Sequence, residues 1–254
     1  MIRMVVAKDY QEMSRLAANI VVSHIRKKPD AVIGFATGGT PLGLYQELVN
    51  RYQEGEIQFG SITTFNLDEY VGLDRHHPQS YYRFMWDHLF SHIGLTPDQI
   101  HFPPGIFTDA DAICREYEAA IAQAGGIDLQ ILGIGVNGHI GFNEPADTFT
   151  LPTHLVELAE ETIEANARFF RDKAEVPRKA VTMGIKSIMS ARSILLLASG
   201  ESKAEAVREM FKGVADPQVP ATILQLHQDV TLLVDREAAK LIEEKGETSW
   251  LVSR

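Results

Sequence analysis

The chain predicts an open, mainly parallel α/β sheet of about seven strands with helices on both faces. Short β-branched runs alternate with amphipathic runs along the whole length, which is the pattern of strand–helix–strand units. The strand spacing is irregular and the count stops near seven, which favours an open sheet over a closed eight-fold barrel. The 254 residues are 45% hydrophobic, enough for one sizeable core. There is no repeat, low-complexity tract or linker, so residues 1–254 read as a single domain.

The elements follow in order. "IRMVVA" (2–7) reads as a strand. Asp9 then opens a helix with Glu12 three residues on, a capping-box pattern, and Met13, Leu16, Ala17, Ile20, Val21 and His24 share one helical stripe. "AVIGFA" (31–36) is the second strand and "TPLGLYQELVNRY" the helix after it. "ITTFN" (62–66) is the third strand, followed by a long polar loop and a helix "SYYRFMWDHLFSHI" (80–93) capped by Ser80. "DADAICREYEAAIAQA" is helical, and "DLQILGI" (128–134) is the fourth strand. "HLVELA" is a weaker strand and "ETIEANARFF" a helix. "AVTMG" (180–184), "SILLLA" (193–198) and "VTLLVD" (230–235) complete the strands, with "ESKAEAVREMFKG" helical between the last two. The result is a doubly wound, Rossmann-like arrangement.

Composition narrows the function. The formal net charge is −10 and no Lys/Arg block stands out, which argues against nucleic acid. An anionic ligand would need a local positive pocket inside an acidic envelope. Cys114 is the single cysteine, so no disulfide framework exists, in keeping with a reducing compartment. The start "MIRMVVAKDY" is too quickly polar for a signal peptide, and "SILLLAS" falls far short of the ~20 residues of a membrane span. A soluble cytoplasmic protein is expected. The nearest thing to a metal motif is His88 and His92 at helical spacing, a poor one beside a helix end that histidine favours anyway, and no metal site is expected.

In an open α/β sheet, ligands bind beyond the carboxyl ends of the strands. Those ends carry "TGGTP" (37–41), "NLDEYVGL" (66–73), "GVNGHIGFNEP" and "SGESK" (199–203). Gly38 and Gly39 let backbone approach a ligand, and Thr40 can cap the next helix with Pro41 at its first position; a helix N-terminus suits phosphate. Neither a Walker motif nor G-x-G-x-x-G is present, so nucleotide binding is not indicated. Read alone, the segment also fits a plain strand-to-helix turn. Lys203 falls in the first turn of a helix, against the macrodipole, which fits a side chain reaching for an anion as well as a solvated one. Arg168 beside two aromatics reads equally as an anion ligand or an exposed helix arginine. Asp68 and Glu69 are adjacent, so one faces the cleft while the other caps or pairs. An acid in that place can be a general base. His139 is flanked by glycine, and Glu144 can orient its imidazole.

These segments, with "HPQSYY" and "ANARFF", in this order and spacing, resemble the glucosamine-6-phosphate deaminase family over nearly the whole chain. The resemblance implies conversion of glucosamine 6-phosphate and water to fructose 6-phosphate and ammonium, without cofactor. It implies that His139, assisted by Glu144 and Asn137, opens the sugar ring. It implies that Asp68 takes the C2 proton and returns one at C1. Gly38, Gly39, Thr40, Arg168 and Lys203 would grip the phosphate. Many members carry aspartate at the place of Asn137; asparagine orients the ring but cannot share its charge, which leaves more to Glu144. Larger allosteric members use serine, arginine and lysine where this chain has Asp147, His154 and Val156, and have a longer C-terminal tail. A non-allosteric, short bacterial type is expected, with a monomer favoured. A 6-phosphogluconolactonase-like hydrolase is the first alternative; it needs no carbon-acid base, so Asp68 speaks against it. A non-enzymatic sugar-phosphate sensor is the second, and lacks its usual DNA-binding module here.

Overall fold

The computed structural model describes residues 2–167 and 170–243. Seven strands form one all-parallel sheet: β1 (Ile2–Ala7), β2 (Val32–Phe35), β3 (Thr63–Asn66), β5 (Ile100–His101), β6 (Leu129–Gly133), β9 (Ser193–Ala198) and β10 (Val230–Asp235). Their order is β1-β10-β9-β6-β2-β3-β5, with β1 and β5 as separate edges, so the sheet is open as expected. A second sheet, order β4-β8-β7, joins β4 (Asp68–Tyr70), β8 (Lys179–Thr182) and β7 (His154–Glu157) in antiparallel fashion.

Helices cover both faces of the large sheet. On one side α1 (Tyr10–Lys27), α2 (Leu42–Gln53) and α3 (Tyr81–His88) bury Met13, Ala17, Val21, Leu44, Leu48 and Met85 against Ile33, Phe35, Ile131 and Leu195. On the other, α4 (Ala110–Gln123), α6 (Ile185–Met189), α7 (Ala204–Glu209) and α8 (Arg236–Glu243) bury Ile121, Ile188, Val207 and Ala239 against Leu132, Leu196 and Leu232. Successive residues of one strand serve opposite cores, as the two-residue period demands: Leu195 and Leu197 face one cluster, Leu196 and Ala198 the other. Half of the expected capping box forms: Asp9 accepts Glu12 N–H at 2.8 Å, while the Glu12 carboxylate reaches one residue beyond the cap and accepts Lys8 N–H at 2.7 Å. Ser80 caps α3, accepting from Arg83 N–H at 3.1 Å.

The membership of the large sheet differs from expectation at two strands. "AVTMG" pairs in the small sheet instead, and the seventh place is taken by Ile100–His101. Two residues carry no detectable period, so β5 exists only because β3 offers it an edge. The three-residue β4 escapes notice for the same reason, and Asp68–Tyr70 is strand where a loop was expected. The short helix α5 (Glu160–Ala167) packs with the small sheet: Tyr70, Phe142, Leu158, Ile163, Val176 and Ala180 form a third cluster.

The small sheet is pinned to the large one by Glu118 of α4. Its Oε1 accepts from Thr153 N–H (2.8 Å), Thr153 Oγ1–H (2.6 Å) and the Ser187 hydroxyl. Glu118→Ala would leave three donors beside buried Thr153 and Ser187 without an acceptor. Urea unfolding is expected to show a loss of about 2–4 kcal/mol.

Candidate active site

The strand order places the site. From β2 the chain proceeds outward to β3 and β5, then returns to β6 on the other side of β2 and moves on to β9 and β10. The loops after β2 and β6 therefore diverge, opening a crevice at the switch point. A cleft of about 530 Å³ lies there, lined by residues 37–41 after β2, residues 133–137 and His139 after β6, Asp68, and Ser199 and Lys203 after β9. Gly38, Gly39, Thr40, Lys203, Asp68, Asn137 and His139 thus share one cavity. Glu144 does not line it but lies behind His139. Arg168 is outside the described residues. Among the described residues, no cluster of three or more His, Cys, Asp or Glu side chains could hold a metal.

His139 is held from one side of its ring. Asn137 Oδ1 lies 2.8 Å from Nδ1, and Glu144 Oε2 is 3.3 Å from the same nitrogen. The Asn137 amide donates to Glu144 Oε2 at 3.0 Å, and Asn137 Oδ1 also accepts the His139 backbone N–H at 3.2 Å. The opposite amide orientation would turn its N–H₂ toward a backbone N–H and its oxygen toward a carboxylate, so these neighbours set it. Nδ1 then carries the proton, leaving Nε2 as the ring's basic nitrogen. Burial works to raise the Glu144 carboxyl. Hydrogen bonds from His139, Thr162 and Asn137 and the imidazole's charge outweigh it, holding Glu144 below the ordinary carboxylate range.

Glycine makes room for this ring, but not chiefly at Gly138, which lies next to it in sequence. A Cβ on Gly135 would sit 2.3 Å from His139 Cε1 and Nδ1, while one on Gly138 would strike Val219. Gly138 also needs its φ of 83°. Gly135 N–H donates to the His139 carbonyl at 2.9 Å, and Thr182 Oγ1 accepts Phe142 N–H at 3.0 Å, tying the loop to β8.

Asp68 and Glu69 point apart, as strand neighbours must. Glu69 faces α3 and accepts from Tyr70, Tyr81 and Tyr82 N–H, each at 2.9 Å. Asp68 faces the cleft, 5% exposed; among the described residues it has no ion-pair partner and accepts no hydrogen bond. Burial, with the neighbouring Glu69 charge adding to it, pushes its carboxyl up to about 8. Burial also raises Glu69, to about 7, against the opposing pull of its three N–H donors.

The end of the cleft expected to hold the phosphate differs in detail from expectation. Thr40 makes no cap hydrogen bond to α2. The Tyr10 hydroxyl of α1 takes that place, accepting Gly43 N–H at 2.7 Å and donating to the Gly39 carbonyl at 3.2 Å. Behind the loop, the Tyr45 hydroxyl donates to the Ala36 carbonyl. The helix expected through 201–213 is a 3₁₀ turn (Glu201–Lys203) followed by a six-residue α7. A helix that short offers little dipole. Tyr10, Tyr81, Thr162, Asn166 and Ser199 also line the cleft and were not read from sequence. Tyr81, Asn166 and Ser199 lie in the segments "HPQSYY", "ANARFF" and "SGESK", whereas Tyr10 and Thr162 carried no signal.

The chain is similar over residues 7–233 to the model of the glucosamine-6-phosphate isomerases/6-phosphogluconolactonase family. It belongs to that family. Among family relatives, the glucosamine-6-phosphate deaminase of Thermoanaerobacter sp. (strain X514) is 54% identical over 243 residues, covering 96% of each chain. That of Halothermothrix orenii is 52% identical over 240 residues, covering 94% of this chain and all of its own. The solved structure of a monomeric glucosamine-6-phosphate deaminase matches with a TM-score of 0.92 at 49% identity, over 94% of this chain and 99% of that one. A 6-phosphogluconolactonase from Thermotoga maritima matches with a TM-score of 0.73 at 20% identity, over 92% of this chain and 99% of that one, and shares the fold.

Two expectations follow. Gly135→Ala should displace the His139 ring and lower turnover about ten-fold or more with the fold retained by circular dichroism. Asp68 has a folded-state pKa above its ordinary 3.8, so the folded chain binds that proton more tightly. Its stability contribution is full below about pH 4 and is lost as pH rises through about 8. Asp68→Asn should therefore be more stable than the parent at pH 8, by on the order of a few kcal/mol, and little different at pH 4. Thermal unfolding at the two pH values measures this.

Proposed function

We propose that the cleft converts glucosamine 6-phosphate and water to fructose 6-phosphate and ammonium, by ring opening, aldose–ketose isomerisation and deamination. The observation that carries this reading is Asp68: a buried carboxylate facing the cleft, with no cation or donor of the described residues spending its lone pairs. Deaminase relatives above 50% identity support it. The lactonase likeness, at 20% identity, speaks for the fold alone.

The phosphate lies against Gly38, Gly39 and Thr40 and meets Lys203 across the cleft, with Arg168 a further ligand by resemblance. Its charge of about −1.5 to −2 is attracted locally, and the chain's net −10 is screened beyond roughly 8 Å. His139 Nε2 takes the proton from the C1 hydroxyl and delivers one to the ring oxygen as the C1–O5 bond breaks, giving the open aldehyde. Asn137 and Glu144 keep the tautomer and stabilise the transient imidazolium. Asp68 then removes the C2 proton; the C–H pair becomes the C1–C2 double bond and the carbonyl oxygen gains a proton, forming an enolamine. Asp68 returns a proton to C1, which leaves a ketimine at C2. Water adds to C2, the nitrogen leaves as ammonium, and the C2 carbonyl of fructose 6-phosphate remains. A carboxyl near 4 is a weak base for a carbon acid, so the upward push on Asp68 brings it nearer its task. A monomer is supported by the monomeric relative at 49% identity.

Asp68→Asn is expected to slow ammonia release by about 10²–10⁴-fold and to abolish entry of solvent deuterium at C1 of the product. Full exchange in that variant would remove Asp68 from the enolisation. In the parent, kcat/KM should rise with pH along a limb near 8, well above the ordinary carboxylate range. Faster hydrolysis of 6-phosphogluconolactone than ammonia release would favour the lactonase.

A further inference from the structure

Asp235 ends β10 outside the cleft, 6% exposed, and among the described residues its side-chain hydrogen bonds go to one loop and one helix. Parallel pairing sets Val234 opposite Ala198, so Asp235 lies opposite Ser199, where the chain leaves β9. Its carboxylate accepts from the Ser199 hydroxyl at 2.5 Å, from Gly200 N–H at 3.0 and 3.1 Å, and from Ala238 N–H at 2.9 Å. The first two contacts hold the loop and the third caps α8.

Gly200 sits at φ 87°, ψ 154°, a conformation closed to other residues, and its carbonyl accepts Lys203 N–H at 3.0 Å. The orientation of Gly200 therefore sets the 3₁₀ turn on which Lys203 is carried toward the cleft. α8 is bound to the same turn again by Lys240 Nζ to Glu201, 2.9 Å. We propose that Asp235 is a positioning residue for phosphate binding: it braces the Ser199–Lys203 loop so that Lys203 meets the anion without rearrangement. The inference rests on the reading of that loop as part of the phosphate grip. An acid suits the place because both its oxygens only accept. An amide would turn N–H₂ toward Gly200 N–H or Ala238 N–H.

Asp235→Ser separates the brace from the cap. Serine is as good an N-cap for α8, but is too short to hold Ser199 and Gly200 as well. The loop then samples other conformations, and the fraction competent for phosphate falls. In Asp235→Ser, KM for glucosamine 6-phosphate and the inhibition constant of inorganic phosphate should both rise by about five-fold or more, with kcat within about two-fold of the parent. Ser199→Ala should raise KM less in the Asp235→Ser background than in the parent, because the contact it removes is already gone. Unchanged KM and phosphate inhibition in a folded Asp235→Ser variant would overturn the proposal and leave Asp235 as a helix cap. If that variant does not fold, additive effects of Ser199→Ala and Asp235→Asn on KM would overturn it too. A parent enzyme that inorganic phosphate does not inhibit would instead defeat the underlying reading of the loop.

Discussion

The site depends on a one-residue step between two sheets. Leu67 N–H still bonds to the Phe35 carbonyl of the large sheet (3.1 Å), while its own carbonyl accepts Met183 N–H beside β8 (2.7 Å). Being 2% exposed, Leu67 is anchored on both sides. The next residue, Asp68, consequently enters β4 already inside the cleft, opposite Thr182, with no freedom to turn toward water. Its burial, its separation from Glu69 and its raised proton affinity all follow from that step. Glu69, on the other face, is consumed by the first turn of α3 and serves to place Tyr81 and Tyr82.

Two carboxylates near the cleft, Asp68 and Glu144, sit in opposite surroundings. Asp68 is buried beside Glu69, and among the described residues no donor reaches its carboxylate, which favours its protonated form. Glu144, half-buried, is surrounded by donors from Thr162, Asn137 and His139, which favour its anion. The Asn137 amide connects the two halves of the His139 arrangement: its oxygen serves the imidazole and its N–H₂ serves the carboxylate. An amide there avoids setting two carboxylates about 3 Å apart, where like charges would share a proton.

Much of this was legible in the chain. The alternation of "AVIGFA", "DLQILGI", "SILLLA" and "VTLLVD" with amphipathic runs dictated the parallel sheet, because strands covered on both faces must be apolar. The rule that ligands bind beyond strand carboxyl ends groups Gly38, Asp68, His139 and Lys203 from their places in the chain alone. Features set by partners were not legible. β5 and β4 are too short to show a period, and exist because a neighbouring edge is present. Tyr10 meets Gly43 and Gly39 from a residue about thirty positions away, and Gly135 yields to a ring four residues on; neither leaves a local trace.

The sequence by itself determined the architecture and which residue types stand at each strand end, since these rest on local periodicity and on the parallel register. Only the tertiary structure decided which atoms face the cleft. It turned Asp68 inward and Glu69 away, and replaced the expected Thr40 cap by the Tyr10 hydroxyl. It put Asn137 between His139 and Glu144, and set Asp235 behind the Lys203 loop. The physical reason is that a hydrogen bond or a missing Cβ acts over about 3 Å in space, between residues that can be a hundred positions apart in the chain.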